Sequence, residues 1–419
     1  MKILVLLLLV FLVAGAVYAL NDSKKRPASG ATTHTLSDSD KATLLTAAQQ
    51  AYQQQDYATA LEKWLPLAEA GDAEAQFDLG TAYSEGKAMP RNDAKAREWL
   101  EKSAAQNNAA AQFNLGLLYY EGKGTPQDIN KAREWFEKAA IQGLSEAQFN
   151  LGVFYEKGRG IPQNYEKARE WYEKAAAQGN GFAKYNLGTL YADGKGTPQD
   201  YGKAREWFEK AAAQGFSEAQ HTLGVLYDNG TGVAQDYDQA REWYEKAAAQ
   251  GQAESQYNLG LFYDNGQGVP QDSTKAAAWW EKAAEQNYAA AQYSLGLLYE
   301  NGRGVAQDYD KAREWYEKAA AQGEASAQFN LGNLYAQGDG IAQDYNKARQ
   351  WWEKAAIQGE ARAQFNLGAH YSKGEGVPQD FSKAREWFKK AAAQKNDEEV
   401  RQAAQHALQI LDQVTGKKP

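Results

Sequence analysis

Apolar and polar positions along most of the chain follow a period of 36 residues. A Leu-Gly pair recurs at this spacing from Leu79 to Leu367, and a tyrosine recurs from Tyr83 to Tyr371. A fixed period of this length is typical of helical repeat proteins. The sequence therefore predicts nine repeats over residues 73–396. Tryptophan recurs with the same period, at positions 99, 135, 171, 207, 243, 279, 315, 351 and 387.

Within one period, the hydrophobic spacing predicts two helices. In the second repeat, apolar residues within 111–119 and again within 132–140 fall on one helical face each. Gly122 suits the end of the first helix, because glycine tolerates the left-handed conformation found there. Asp128 suits the N-cap of the second helix. We expect an all-α solenoid of stacked antiparallel helix pairs, with the Lys-Ala-Arg-Glu face of each second helix in solvent.

The Leu-Gly pair places a glycine inside each first helix, as Gly116 does in the second repeat. Glycine there costs about 1 kcal/mol relative to alanine, so its recurrence predicts a compensating close approach of two helices. Ala132 and Ala140 are the expected contacts on the second helix. The recurring tryptophans and tyrosines are expected to fill the gaps between neighbouring hairpins, since one hairpin cannot bury both of its apolar stripes.

The segments outside the repeats predict two caps and an N-terminal leader. Residues 41–72 are expected to form a capping helix pair, and residues 397–419 a capping helix and tail. Residues 1–20 contain an apolar run, 3–20, that fits either a signal peptide or a membrane anchor. Basic residues follow at 24–26, which disfavours translocation and leaves both alternatives open. Residues 21–40 are expected to form a flexible linker.

Charge and composition exclude several classes of function. The net charge is −8 and no Lys/Arg block interrupts the repeats, which argues against a nucleic-acid partner. The chain has no cysteine, so it has no disulfide, thiol nucleophile or cysteine-bound metal. No cofactor motif occurs, and we predict no metal site because the histidines lack neighbours at ligand spacing. Among the histidines, His221 stands where other repeats have Phe or Tyr, so we interpret it as an aromatic substitute.

The repeat unit resembles a known family. The stretch AQFNLGLLYYEGKGTPQDINKAREWFEKAAIQG at 111–143 is similar to the Sel1-like repeat, a relative of the tetratricopeptide repeat. The resemblance implies a right-handed superhelix of antiparallel helix pairs. It also implies a role in protein–protein interaction, often in bacterial envelope assembly, signalling or host contact. Some similar proteins have been called β-lactamases; here Ser84 and Lys87 match S-x-x-K spacing, but the accompanying S-D-N and K-T-G motifs are absent.

One polar position recurs just before the Leu-Gly pair, and asparagine is a poor residue for the middle of a helix. In related folds the first helices line a concave surface where asparagines grip peptide backbones, so the resemblance implies a partner-binding row. The alternative is a structural bond between neighbouring repeats. The row comprises Asn114, Asn150, Asn186, Asn258, Asn330 and Asn366. The slot two residues before the tyrosine varies and would set specificity; it holds Leu117, Val153, Thr189, Val225, Asn333 and Ala369.

These observations favour a non-enzymatic scaffold that binds another protein or peptide along the concave face. The expected location is exported, periplasmic or anchored in the bacterial envelope, with secretion also compatible. Membrane contact is expected only through residues 3–20, if they are retained. A polysaccharide- or peptidoglycan-associated scaffold is the alternative, and a β-lactamase-like hydrolase is a remote one. No catalytic residue is predicted, and the sequence does not indicate the oligomeric state or the partner.

Overall fold

The computed structural model describes residues 37–87 and 89–416, and all the regular structure within these ranges is α-helical. The helices are α1 Asp38–Gln53, α2 Tyr57–Glu69, α3 Ala73–Glu85, α4 Asp93–Ala105, α5 Ala109–Glu121, α6 Ile129–Ile141, α7 Ser145–Lys157, α8 Tyr165–Ala177, α9 Gly181–Asp193, α10 Tyr201–Ala212, α11 Ser217–Asn229, α12 Tyr237–Ala249, α13 Ala253–Asn265, α14 Ser273–Glu285, α15 Ala289–Asn301, α16 Tyr309–Ala321, α17 Ala325–Gln337, α18 Tyr345–Ile357, α19 Ala361–Lys373, α20 Phe381–Ala393 and α21 Glu398–Thr415.

The chain forms two compact units, one ending at Ala211 and the other beginning at Ala212. In the first unit, α3 packs against α4, α5 against α6 and α7 against α8, while α4 and α6 also pack against the first helix of the next repeat. The second unit repeats this arrangement from α11 to α20. Each hairpin therefore buries its apolar stripes on its neighbours in chain order, which is the predicted solenoid fold.

The predicted helix ends are confirmed. Gly122 ends α5 in the left-handed conformation, with φ of 71°. Asp128 caps α6, since its side chain accepts a hydrogen bond from the backbone N–H of Lys131 at 3.0 Å. The same C-terminal glycine and N-cap side chain recur along the chain, with Gly158 ending α7 and Asn164 capping α8. Loop glycine and cap carboxylate or amide together turn the chain between the two helices of a repeat.

The glycine inside each first helix makes the predicted close approach, to one of the two predicted alanines and to a ring that was not predicted. A Cβ on Gly116 would lie 2.7 Å from Cε1 of Phe136 and 3.2 Å from the carbonyl oxygen of Ala132. The ring that follows the tryptophan, rather than Ala140, therefore occupies the space that glycine leaves. In the other repeats this position holds Leu100, Tyr172, Phe208, Tyr244, Trp280, Tyr316, Trp352 and Phe388.

The tryptophans fill the predicted gaps between neighbouring hairpins only in part, because one side of each ring stays outside the core. All nine are half-buried, and each has the Nζ of a lysine of its own helix 3.8–4.1 Å from a ring centroid. One side of the ring still packs on the neighbouring hairpin, as Trp171 does on the cluster that contains Ala140 and Leu151. Adjacent aromatic residues point about 100° apart on a helix, so only the second of the pair reaches the centre.

A row of buried glutamines joins consecutive hairpins, and the sequence did not lead us to expect it. Gln112, only 1% exposed, donates from Nε2 to the carbonyl oxygen of Ala104 in the preceding repeat at 3.2 Å. Its Oε1 accepts from Nε2 of Gln142 at 2.7 Å. Equivalent pairs recur in both units, for example Gln328 with Gln358. The carbonyl oxygen of Ala104 also accepts from the backbone N–H of Asn107 at 3.1 Å, so the glutamine adds a second bond at the end of the second helix.

The described residues begin with a helix that starts earlier than expected. Helix α1 begins at Asp38, inside the predicted linker 21–40, because Ser37 caps it by accepting from the N–H of Asp40. Residues 1–20 and most of the linker lie outside the described residues, so those assignments stay predictions. Within residues 37–87 and 89–416, no helix combines the length and apolar character needed to cross a bilayer.

Candidate binding surface

In most repeats, the first helix has two neighbouring positions whose side chains are not fully buried in the core. The Asn slot lies five residues before the recurring tyrosine and the variable slot two residues before it, so both fall on one side of the helix. Most side chains in these slots are half-buried. We call the surface formed by these two slots on the first helices the first-helix face.

Five of the six predicted asparagines bond to the preceding repeat, and three of these five bond to a tyrosine hydroxyl. Nδ2 of Asn330 donates to the hydroxyl of Tyr316 in the preceding repeat at 3.1 Å, and that hydroxyl donates to the carboxylate of Glu300. Asn186 and Asn258 interact in the same way with Tyr172 and Tyr244. Burial raises the pKa of the Tyr316 hydroxyl, so this hydroxyl stays a hydrogen-bond donor. These three asparagines therefore have a structural role, whatever else they bind.

The other three asparagines face no such tyrosine. Nδ2 of Asn150 donates to the carbonyl oxygen of Glu146 in its own helix at 2.9 Å. Asn114 reaches only Oγ1 of Thr81, at 3.4 Å. Asn366 donates to Oδ1 of Asn333 at 3.1 Å. Each of these amides donates one hydrogen bond, which leaves part of its hydrogen-bonding capacity unused among the described residues.

A partly open pocket of about 200 Å³ lies on this surface, between α17 and α19. Two variable-slot residues, Asn333 and Ala369, and one Asn-slot residue, Asn366, line it together with His370 and Trp352. Nε1 of Trp352 donates to Oδ1 of Asn333 at 3.0 Å, which fixes the indole at the pocket wall. The structure thus brings together residues from both slots that the sequence had singled out separately.

The two histidines within the repeats differ in environment. The ring of His221 packs on Tyr244 at a centroid distance of 5.7 Å, and its Nδ1 lies 2.8 Å from Oγ of Ser255, so it is the aromatic substitute we expected. His370 is 1% exposed, and neither ring nitrogen has a hydrogen-bond partner among the described residues. The sequence carried a signal for this, because the other repeats hold only Leu, Phe or Ala at that position.

The S-x-x-K pair shows no catalytic arrangement. Ser84 lies in the last turn of α3, and Nζ of Lys87 lies 3.3 Å from the carboxylate of Glu85. In the described part of the chain, no three His, Asp or Glu side chains are grouped so as to hold a metal ion.

Comparison with a model of the Sel1 repeat matches nine consecutive segments, residues 73–108, 109–144, 145–180, 181–216, 217–252, 253–288, 289–324, 325–360 and 361–396. The chain belongs to the Sel1 repeat family. The predicted family, the repeat number and the solenoid fold are thereby confirmed. Sel1 repeat proteins generally mediate protein–protein interactions.

Two solved structures of Sel1 repeat type are similar over most of the chain. A protective antigen present in uropathogenic Escherichia coli strains is 33% identical, with a TM-score of 0.61, and the match covers 89% of this chain and 88% of that one. A Sel1 repeat protein from Oxalobacter formigenes is 34% identical, with a TM-score of 0.59 and coverage of 81% and 95%. A comparison with curated proteins gave no match.

Proposed function

We propose that this Sel1 repeat protein is a non-enzymatic scaffold that binds a protein or peptide segment along its first-helix face. The variable slot carries the proposal. It is half-buried in every repeat, yet its residue changes from Leu to Val, Thr, Asn and Ala along the chain. Neighbouring positions in the same helices make contacts between helices. Variation in the variable slot is therefore what distinguishes one repeat from the next.

The stacked helices suit recognition of a long segment. Within each unit the slots are held at fixed spacing by packed hairpins, so that unit loses little conformational freedom on binding. Carboxylates of Glu156, Asp228 and Asp264 lie half-buried one residue after the recurring tyrosine. Tyrosine hydroxyls donate to Glu156 and Asp228, which holds these carboxylates in place. Arg303 pairs with Asp264 and Lys157 with Glu156, so these carboxylates carry little unbalanced charge. We therefore expect the partner segment to offer hydrogen-bond donors.

The aromatic rows do not favour a carbohydrate platform. Sugar rings stack on exposed faces of tryptophan, whereas the half-buried tryptophans here each carry a lysine Nζ about 4 Å from a ring centroid, as Lys174 does over Trp171. A protein partner therefore fits the surface better than a polysaccharide. We further propose that the apolar segment 3–20 directs the repeats to the bacterial envelope or outside it, either as a cleaved signal or as an anchor.

Two asparagine variants test this function. We expect Asn150→Ala to weaken binding of the partner recovered by affinity purification about tenfold, which corresponds to about 1.4 kcal/mol. Its unfolding midpoint in urea should stay unchanged, because the amide bonds only within its own helix. Asn330→Ala is the matched control and should lose about 1–2 kcal/mol of stability, since it leaves the buried Tyr316 hydroxyl short of a partner. Full affinity in Asn150→Ala would contradict the assignment of the asparagine row to binding.

A further inference from the structure

Helix α21 takes the place of a tenth first helix in the second unit. It packs against α20 and touches α19, as α17 packs against α16 and touches α15. On a further side α17 is covered by α18, the second helix of its own repeat. Among residues 37–87 and 89–416, no helix covers the corresponding side of α21. The stacking surface that joins consecutive helices therefore continues onto α21 and is left open there.

An apolar band on α21 lies in solvent. Ile410 and Val414 are 48% and 64% exposed, Ala403 is also exposed, and Ala407 is half-buried. Their spacing of four, three and four residues places all four on one stripe of the helix. The stripe lies beside the buried face that contains Leu411, so α21 is apolar on two adjoining sides. One of these sides packs on α20, and the other has no described neighbour.

The exposed side of α21 also lacks charge. Between Gln402 and Val414, no exposed residue is Asp, Glu, Lys or Arg. By contrast, the exposed side of α20 carries Lys383, Glu386 and Lys390. Exposed apolar side chains together with few charges are typical of the core of a protein interface. The polar residues exposed around the band are Gln402, Gln405, His406, Gln409 and Gln413.

This surface suits a second copy of itself. The chain has a net charge of −8, so two copies repel each other through most of their surfaces. Contact between two uncharged faces keeps that repulsion small. Glutamine amides both donate and accept hydrogen bonds, so a face bordered by them is complementary to an identical face. A contact between the same patch on two copies is the usual arrangement in homodimers.

A head-to-tail contact is less suitable. The first described helix, α1, exposes Thr43, Thr46 and Gln50 and no large apolar side chain. Docking α21 on α1 of another copy would place Ile410 and Val414 against polar groups. Association through α21 alone also closes at two copies, whereas a head-to-tail contact continues into a filament or a ring.

We propose that α21 packs antiparallel against α21 of a second copy, about a two-fold axis, and forms a reversible dimer. Ala403 then faces Val414 of the second copy, and Ala407 faces Ile410, so small side chains meet larger ones and leave no gap. Helix α21 has 18 residues and is about 27 Å long. One face of it is smaller than the roughly 800 Å² per partner of a standard interface, so we expect a dissociation constant on the order of 10–100 μM.

Sedimentation equilibrium of the full chain tests the dimer, in a mild detergent that solubilises the apolar segment 3–20. We expect the average mass to rise from one chain toward two as the concentration increases through about 100 μM. Val414→Glu and Ile410→Glu should each weaken the dimer at least tenfold, because a carboxylate is then buried at the interface. Both residues are exposed in the single chain, so circular dichroism should show unchanged helix content.

Ile357→Glu is the matched control. Ile357 is also an exposed isoleucine, 80% exposed, but it lies at the end of α18, away from α21. This variant should form the dimer as readily as wild type. A wild-type chain that stays a single copy at every concentration, growth beyond two copies, or an equal loss in Ile357→Glu would each overturn the proposal. So would undiminished association of Val414→Glu.

Cysteine crosslinking tests the antiparallel arrangement and does not depend on the glutamate variants. The chain has no cysteine, so an introduced one gives an unambiguous crosslink. With a short bismaleimide, a mixture of Ala403→Cys and Val414→Cys chains should crosslink to each other. Each variant by itself should crosslink at least tenfold less. Crosslinks mainly within each single variant would show a parallel pair and contradict the arrangement, and no crosslink in any sample at 100 μM protein would overturn the dimer.

Discussion

Gly224→Leu is expected to destabilise the second unit by about 3 kcal/mol or more. A Cβ at position 224 would lie 2.5 Å from Cδ1 and 2.6 Å from Cε1 of Tyr244. That ring cannot withdraw, because it is fully buried and packs edge-on against Phe262 at a centroid distance of 5.6 Å. Overpacking of a rigid core costs about 1–3 kcal/mol for smaller insertions than a leucine side chain. Urea unfolding followed by circular dichroism, together with hydrogen exchange in α11–α13, measures the loss.

Gly202→Leu is the matched control for this prediction. Gly202 also lies in a helix, but a Cβ there would meet only Oδ1 of Asp200, at 3.3 Å. Leucine should therefore stabilise that helix by several tenths of a kcal/mol or more through helix propensity. Equal stability of the Gly224→Leu protein and the wild type would show that the Leu-Gly pair does not serve close packing of the two helices.

Asp78→Asn is expected to change the pH dependence of stability at the N-terminal end of the repeats. Asp78 occupies the Asn slot of the first repeat, and its Oδ2 is buried with no hydrogen-bond partner among the described residues. Burial, reinforced by the charges of Glu74 and Asp72, raises the pKa of Asp78 to about 7 from an ordinary value of 3.8. The folded state therefore holds this proton more tightly than the unfolded state does.

The sign of the effect follows from that shift. Because the folded pKa is above the unfolded one, wild-type stability should fall as the pH rises from about 4 to about 7 and then level off. Each pKa unit corresponds to 1.36 kcal/mol, so the variant should be more stable than wild type by about 2–4 kcal/mol at pH 8 and equal to it near pH 4. Hydrogen exchange in α2 and α3 at both pH values measures this. A difference that does not depend on pH would contradict the assigned pKa.

Much of the fold could be predicted because every repeat ends and begins its helices with the same kinds of residue. Gly122 and Asp128 recur at fixed offsets, and each has a local effect that depends little on the rest of the structure. The ring opposite Gly116 was harder to assign, since Trp135 and Phe136 are adjacent and both lie near the apolar stripe. The pairing of Gln112 with Gln142 could not be predicted from spacing, because the two residues are 30 positions apart and meet only once hairpins stack.

The candidate site was predictable as a surface but not residue by residue. Asn150 and Asn330 stand in the same sequence context, and what separates them is the residue opposite in the preceding repeat, Phe136 in one case and Tyr316 in the other. That difference becomes meaningful only when the structure shows the tyrosine hydroxyl reaching the next first helix. His370 could have been found from sequence, since a polar residue in an otherwise apolar slot is visible without coordinates.

Site-specific photo-crosslinking tests most directly whether recognition takes place on the first-helix face. A benzophenone amino acid is placed at position 189, in the variable slot of α9, or at position 242, on the exposed side of α12, in the full-length chain within its own host cell. Neither position contributes to the buried core, so both proteins should fold. We expect position 189 to crosslink to one discrete protein and position 242 to none. A discrete crosslink from position 242 with none from position 189 would contradict binding through the first helices.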